Sequence, residues 1–250
     1  MTESVYAIGA GADLVARGNY CDFPPQVKAL PSVGDAQNPD LEAVVALAPT
    51  WVLGPSGLAG RSFSSRLEAL NIRTFFPPTD TLADVMGLIR GLGVRLERRD
   101  QAEQVAVGIE RGLAELSAEA SKTPRIRILM ALGTEQVFSP GPQSFMTEIA
   151  RTVGADNVVP AGVYPEISSE GLVSLKPELI VFPYGDAEAM PVLDRASPKW
   201  HHVDAVKRDA LCFVKSDALL RPGPRVVEGA RALRVCLNNY LATLRSRRTD

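Results

Sequence analysis

One stretch of this chain occurs twice. Leu41–Leu53 (LEAVVALAPTWVL) lies over Ser169–Val181 (SEGLVSLKPELIV) in register and without a gap. Each copy reads as a short helix, a proline-containing turn and a buried strand. Two such units in opposite halves predict an α/β fold of two similar lobes. The longest helical pattern, Asp100 to about Ser121, lies between them, with apolar residues at Val105, Val107, Ile109, Leu113 and Leu116. It predicts one rigid connector. The expected organisation is an N-terminal lobe over 1–96, a connecting helix over 97–122 and a C-terminal lobe over 123–250.

The remaining pattern alternates β-prone runs with amphipathic stretches. Strands are expected at Leu14–Ala16, Trp51–Leu53, Ile72–Phe76, Arg127–Leu132, Glu178–Phe182 and Cys212–Lys215. Helices are expected to end near Gly9 and to cover Asp40–Leu47, Phe63–Leu70, Thr81–Leu92, Gln143–Val153, Ser168–Leu175 and Pro224–Leu244. Cys21–Pro25, with two prolines, reads as a turn. The basic tail Arg245–Arg248 reads as a solvated end.

Composition excludes several function classes. Of 250 residues, 46% are apolar and 22% charged, with a net charge of −2, so neither a disordered chain nor a nucleic-acid footprint is present. No apolar run approaches the ~18 residues of a membrane span. The two histidines, His201 and His202, are adjacent; they read as surface or helix-start residues after Trp200, and no metal site is expected. GxSxG, GxGxxG and P-loop patterns are absent, so the chain reads as a binder and not an enzyme. Cys21, Cys212 and Cys236 form no CxxC pair. They leave either three reduced thiols, the simpler expectation, or one disulfide with one free thiol. The start, MTESVYAIGAGADLV, has no signal-peptide pattern.

An ordered set of motifs then carries a resemblance. It comprises Thr2-Glu3, Ala7–Gly11, Asn19–Pro25 (NYCDFPP), Val33-Gly34 and Asn38–Glu42. In the second half it comprises Gly133 with Phe138, Gly154–Asn157, Glu170, Leu175–Pro177, Arg221 and Pro224-Arg225. Over nearly the whole chain these residues resemble the class III substrate-binding proteins of ABC importers, the Fe/B12 periplasmic-binding family, and among them the B12-binding members. The resemblance implies two Rossmann-like lobes joined by one long helix, a ligand cleft between them, and a monomer that delivers a small molecule to importer membrane subunits. It implies a periplasmic or extracytoplasmic location. In the family the Thr-Glu of the first helix follows a buried strand and a Pro-Ser turn, so the first lobe is expected to lack one strand and the natural start to lie upstream with a secretion signal.

Carried over position by position, the resemblance makes Tyr20, Phe138, Tyr164 and Asp217 ligand contacts. Each has a plainer reading: Tyr20 capping a turn, Phe138 in the core, Tyr164 packing its loop, Asp217 capping the turn towards Arg221. Ala36 and Pro55 stand where B12-binding relatives have tryptophans, and Leu132 replaces another aromatic. Of the family's disulfide, Cys236 matches one partner, but Val153 occupies the region of the other. Glu42 and Glu170, equivalent in the repeat, match glutamates that meet arginines of the membrane subunits; the plainer reading is a favourable contact with the helix dipole. The implied cargo is cobalamin or another corrinoid, with haem or a ferric siderophore as alternatives, and no resident cofactor. A cytoplasmic corrinoid-handling protein, or a small-molecule enzyme on the same scaffold, is the competing class.

Overall fold

The computed structural model describes residues 1–246. The chain divides into two compact units, Met1–Gly108 and Ile109–Asp250. The division falls within helix α5 (Arg99–Ala120), which lies inside the 97–122 segment read from the pattern. Arg247 and Arg248, the end of the basic tail, lie outside the described residues.

The first unit contains α1 (Thr2–Ala7), α2 (Leu41–Ala46), β1 (Trp51–Leu53), α3 (Leu58–Ala69), β2 (Arg73–Phe75), α4 (Leu82–Arg95) and the start of α5. Strands β1 and β2 pair in parallel, Trp51 opposite Arg73 and Leu53 opposite Phe75. Val44, Phe63 and Leu67 form a core against which Val52, Ile72 and Phe76 pack. Helix α4 starts where Thr81 and Asp84 cap each other: the Thr81 hydroxyl accepts from the Asp84 N–H at 3.1 Å, and the Asp84 carboxylate accepts from the Thr81 N–H at 2.9 Å. This reciprocal box satisfies two otherwise orphaned donors. Leu14–Ala16 is not a strand. Its neighbour Arg17 makes only an isolated bridge to Ser32, because the 3-10 turn Gly11–Asp13 and Gly18 leave too short a run to propagate a ladder.

The second unit contains β3 (Ile126–Met130), α6 (Phe145–Thr152), β4 (Ala155–Asn157), α7 (Ser169–Ser174), β5 (Leu179–Tyr184), α8 (Asp204–Lys207), β6 (Leu211–Lys215), α9 (Asp217–Leu220) and α10 (Val226–Ser246). Its sheet is wholly parallel in the order β4-β3-β5-β6. One core joins Leu129, Ile180, Phe182 and Trp200; the Phe182 ring stacks on Phe213 with centroids 5.1 Å apart and meets Trp200 edge-on at 5.7 Å. Strand β4 escapes the sequence pattern because Ala-Asp-Asn carries no β-branched residue; pairing with Ile126–Ile128 holds it. Helices α8 and α9, four residues each, are too short to show a period.

Cys212 in β6 and Cys236 in α10 are disulfide-bonded, with Cα atoms 6.2 Å apart, within the usual range. Cys21 is free. The expectation of three reduced thiols is thereby corrected: 24 residues of separation hide a pairing made by α10 packing back on β6.

Candidate functional site

In an open parallel sheet, ligands bind outside the carboxyl ends of the strands, where the strand order reverses. In the second unit that reversal lies between β3 and β5. The chain runs from β3 outward to β4 on one side, and from β5 outward to β6 on the other. The loops leaving β3 and β5 are fastened together there: the Trp200 indole N–H donates to the Thr134 carbonyl at 2.8 Å.

The loop leaving β3 builds a small platform. Gly133, at φ +93°, turns the chain back, and a Cβ there would lie 2.4 Å from the Gln136 carbonyl oxygen. Leu132 and Phe138 then exchange both backbone hydrogen bonds, at 2.8 and 3.1 Å. On its other side Phe138 pairs antiparallel with Glu166, flanked by Ser139 N–H to Pro165 and Ile167 N–H to Val137 bonds of 3.1 and 2.7 Å. Gly141 N–H donates to Val163 at 2.8 Å. A Cβ at Gly141 would fall inside the Gly162 carbonyl, so only glycine allows this approach.

Strand alternation decides which side chains this platform presents. Val137 and Ser139 are buried, whereas Phe138 is 38% exposed. Phe138 therefore faces outward and is not a core residue. Phe138 and Glu166 form a non-hydrogen-bonded antiparallel pair, the arrangement that brings side chains closest. Tyr164, two residues before Glu166, points to the same side. It is 41% exposed, and its hydroxyl lies 3.1 Å from that of Ser144, the residue capping α6. Leu132, Phe138, Tyr164 and Glu166 thus share one outward face. Sequence reading missed Glu166, whose outward position follows only once the 137–141 and 163–167 segments are paired. It also missed the work of Asn157, the last residue of β4. The Asn157 amide donates to the Pro140 carbonyl at 2.6 Å and its oxygen accepts from the Met130 N–H at 3.3 Å, fixing the far end of the platform to β3.

Asp217 is placed differently from these aromatics. It is 8% exposed, accepts from the Asp186 N–H at 3.3 Å and pairs with Arg221 at 3.2 Å. The carboxylate braces the loop leaving β5 against α9 and faces the chain, which is the turn-capping arrangement. His201 and His202 are exposed on the surface after buried Trp200, their ring centroids 3.6 Å apart.

In the first unit, Tyr20 is 77% exposed at the tip of a turn closed by Asn19 N–H to Gly34 and Cys21 N–H to Gly18 bonds of 2.7 and 3.0 Å. The turn is capped by backbone and by Asn19 and Arg17, not by the Tyr20 ring, which is left to solvent. Glu42 and Glu170 are the second residues of α2 and α7, both exposed. The caps correspond as well: Asp40 accepts from Ala43 at 3.0 Å and Ser168 from Gly171 at 3.1 Å.

Arg125 holds Asp156 bidentately at 2.6 and 2.9 Å. The guanidinium's hydrogen bonds lower the Asp156 carboxyl below its ordinary range. This pair lies at the amino ends of β3 and β4, away from the platform. Among the described residues, no group of three or more His, Cys, Asp or Glu side chains could hold a metal ion, and no helix is long and apolar enough to cross a membrane.

Comparison with known proteins gives concordant matches. A family model described as periplasmic binding protein matches residues 1–218. A vitamin B12-binding protein of Photorhabdus laumondii is 27% identical over 243 residues, covering 95% of this chain and 85% of the relative. The crystal structure of the periplasmic vitamin B12-binding protein of Vibrio cholerae superposes with a TM-score of 0.78 at 22% identity, over 96% of this chain and 94% of that one. A periplasmic haem-binding protein of Pseudomonas aeruginosa does so with a TM-score of 0.79 at 25% identity, over 93% and 87%. The mixed α/β fold with parallel sheets is that of these two-lobed proteins.

Proposed function

Since the chain belongs to the periplasmic binding protein family, we propose that it is the substrate-binding component of an ABC importer and that its cargo is a cobalamin-like corrinoid. It binds and releases that cargo without chemistry and holds no resident cofactor. Its place of work is the periplasm or the outer face of the membrane.

The observation that carries this reading is the outward face of Leu132, Phe138, Tyr164 and Glu166 at the reversal of the strand order. The partly exposed Phe138 and Tyr164 rings there suit a large planar ligand, and a few polar groups orient it. The single carboxylate on that face favours a ligand rich in neutral hydrogen-bond donors, such as the amide side chains of a corrin. It disfavours haem propionates and anionic ferric siderophores, whose charge would meet Glu166. The vitamin B12-binding relatives point the same way. Tyr20 is the corresponding aromatic candidate in the first unit. Asp217 supports the site as a brace of the loop leaving β5.

Binding of cyanocobalamin, haemin and a ferric siderophore, measured side by side by calorimetry, tests the cargo. Cyanocobalamin is expected to bind tightest. Tighter binding of haemin or the siderophore would transfer the assignment to that ligand.

Delivery is assigned to Glu42 and Glu170. Each is exposed on an equivalent helix, and charge pairs of this kind fix orientation and speed encounter more than they add affinity. The double variant Glu42→Arg, Glu170→Arg is expected to abolish complex formation with the importer and to leave cyanocobalamin affinity unchanged. Normal docking at low salt, where such pairs act most strongly, would refute the assignment.

A further inference from the structure

The two copies of the repeat have diverged at most positions that face solvent. Ala46 faces Ser174 in the alignment, Ala48 faces Lys176 and Thr50 faces Glu178, all exposed in both copies. Four positions are identical: Glu42 and Glu170, Val45 and Val173, Leu47 and Leu175, Pro49 and Pro177. The leucine and the proline form the turn into the strand. The valine has no such local role. Val44 and Leu172 supply the buried contact of each helix, at 5% and 0% exposure, whereas Val45 is 40% and Val173 42% exposed. A β-branched residue is a weak helix former, and helices α2 and α7 have only six residues each. Neither propensity nor packing within the chain accounts for valine here in both copies.

Each valine lies three residues beyond the glutamate, so the two side chains share one helix face. Neither carboxylate has a hydrogen-bond or ion-pair partner among the described residues. Each unit therefore presents the same two-part surface, one unneutralised carboxylate beside one exposed apolar side chain. Charge complementarity requires a basic residue opposite the first, and desolvation favours an apolar recess opposite the second.

We propose that Val45 and Val173 are apolar anchors of the importer-docking surface, each received by an apolar recess flanked by an arginine or lysine on a membrane subunit. This rests on the docking role assigned to Glu42 and Glu170. Charge alone orients an encounter and is weakened by salt; an apolar anchor supplies the short-range contact that slows dissociation.

The test uses the importer that binds the wild-type chain, reconstituted in nanodiscs, with surface-immobilised protein. The double variant Val45→Ser, Val173→Ser is expected to bind at least about tenfold more weakly. The loss should lie mainly in the dissociation rate and persist in high salt. Val45→Ile, Val173→Ile should retain binding. The matched control Val94→Ser, Val235→Ser removes exposed valines of the same two units, 52% and 59% exposed, and should change nothing. Wild-type docking by the serine pair, while Glu42→Arg, Glu170→Arg abolishes it, overturns the anchor role and leaves the charge reading intact. Equal losses from the control pair also overturn it. If the glutamate variant docks normally, the docking reading fails and the anchors fail with it.

Discussion

Ala48 and Lys176 adopt one and the same left-handed backbone, φ 45° at each. Each is the residue before the proline that turns its helix into its strand. Neither is glycine, and for a residue with a Cβ this conformation costs roughly 1–2 kcal/mol. Glycine removes that cost but gains entropy in the unfolded chain, which offsets part of it. Ala48→Gly and Lys176→Gly are therefore each expected to raise the unfolding free energy by about 0.5 kcal/mol in urea titrations. A loss of stability at both positions would show that the turn is not strained.

On the proposed function, Glu166 is expected to read the charge of the cargo. Glu166→Gln keeps the shape of the platform and removes its negative charge. Haemin affinity is expected to rise several-fold, since like charge no longer opposes the propionates, while cyanocobalamin affinity falls by a smaller factor. Titration of both ligands against both proteins decides the matter. Parallel shifts for the two ligands would mean that Glu166 does not discriminate by charge.

The aromatic contacts proposed for the cargo are expected to be separable from stability. Tyr20 and Tyr164 are both exposed, so Tyr20→Ala and Tyr164→Ala are expected to weaken cyanocobalamin binding while thermal unfolding changes little. A well-placed aromatic contributes roughly 0.5–1.5 kcal/mol beyond buried area. Tyr164→Phe removes only the hydroxyl near Ser144 and is expected to fall between wild type and Tyr164→Ala. Lower melting temperatures with unchanged affinity would identify both tyrosines as packing residues.

Much of this architecture was legible from local chemistry. Asp40 and Ser168 open α2 and α7, Thr81 opens α4, and Pro49 and Pro177 mark the turns into β1 and β5. What escaped the sequence depends on long-range pairing. Ala155–Asn157 is a strand only because Ile126–Ile128 lies beside it. Glu166 has an outward direction only because Phe138 pairs with it. Cys212 meets Cys236 only because α10 returns to β6. Asp217 shows the same limit from the other side: its place in the turn towards Arg221 was readable, but the burial of its carboxylate was not.

That burial makes Asp217 a structural residue in the first instance. Asp217→Ala leaves the Asp186 N–H without its acceptor and Arg221 without this carboxylate. Asp186 is exposed and Arg221 partly exposed, so both can turn to water, and the lost hydrogen bond and ion pair cost about 0.5–1.5 kcal/mol. A loss of that size in unfolding free energy is expected, with Asp217→Asn retaining part of the stability through its amide oxygen. Cyanocobalamin affinity at a temperature where both variants are fully folded should change by less than a direct contact would require. A tenfold affinity loss with unaltered stability would return Asp217 to the ligand contacts.

Acid sensitivity at the opposite edge of the sheet should trace to Asp156. Its carboxyl is lowered chiefly by the hydrogen bonds from Arg125. A carboxyl with a lower pKa when folded stabilises the protein above its unfolded value, near 3.9, and that contribution disappears as pH falls through the folded value. Both side chains are half-exposed, 50% and 51%, so solvent screening limits the pair to about 0.2–1 kcal/mol despite its bidentate geometry. Asp156→Asn is therefore expected to be less stable than wild type by no more than about 1 kcal/mol at pH 7. The difference should shrink below pH ~3.9 and vanish in stronger acid. It should also shrink in 1 M salt. Arg125 still donates to the Ala155 carbonyl at 3.0 Å, so the variant keeps its strand pairing and the comparison isolates the charge. Guanidinium chloride would screen the pair, so urea titrations at pH 3 to 7 are the measurement; a gap that widens on acidification would exclude Asp156 as its source.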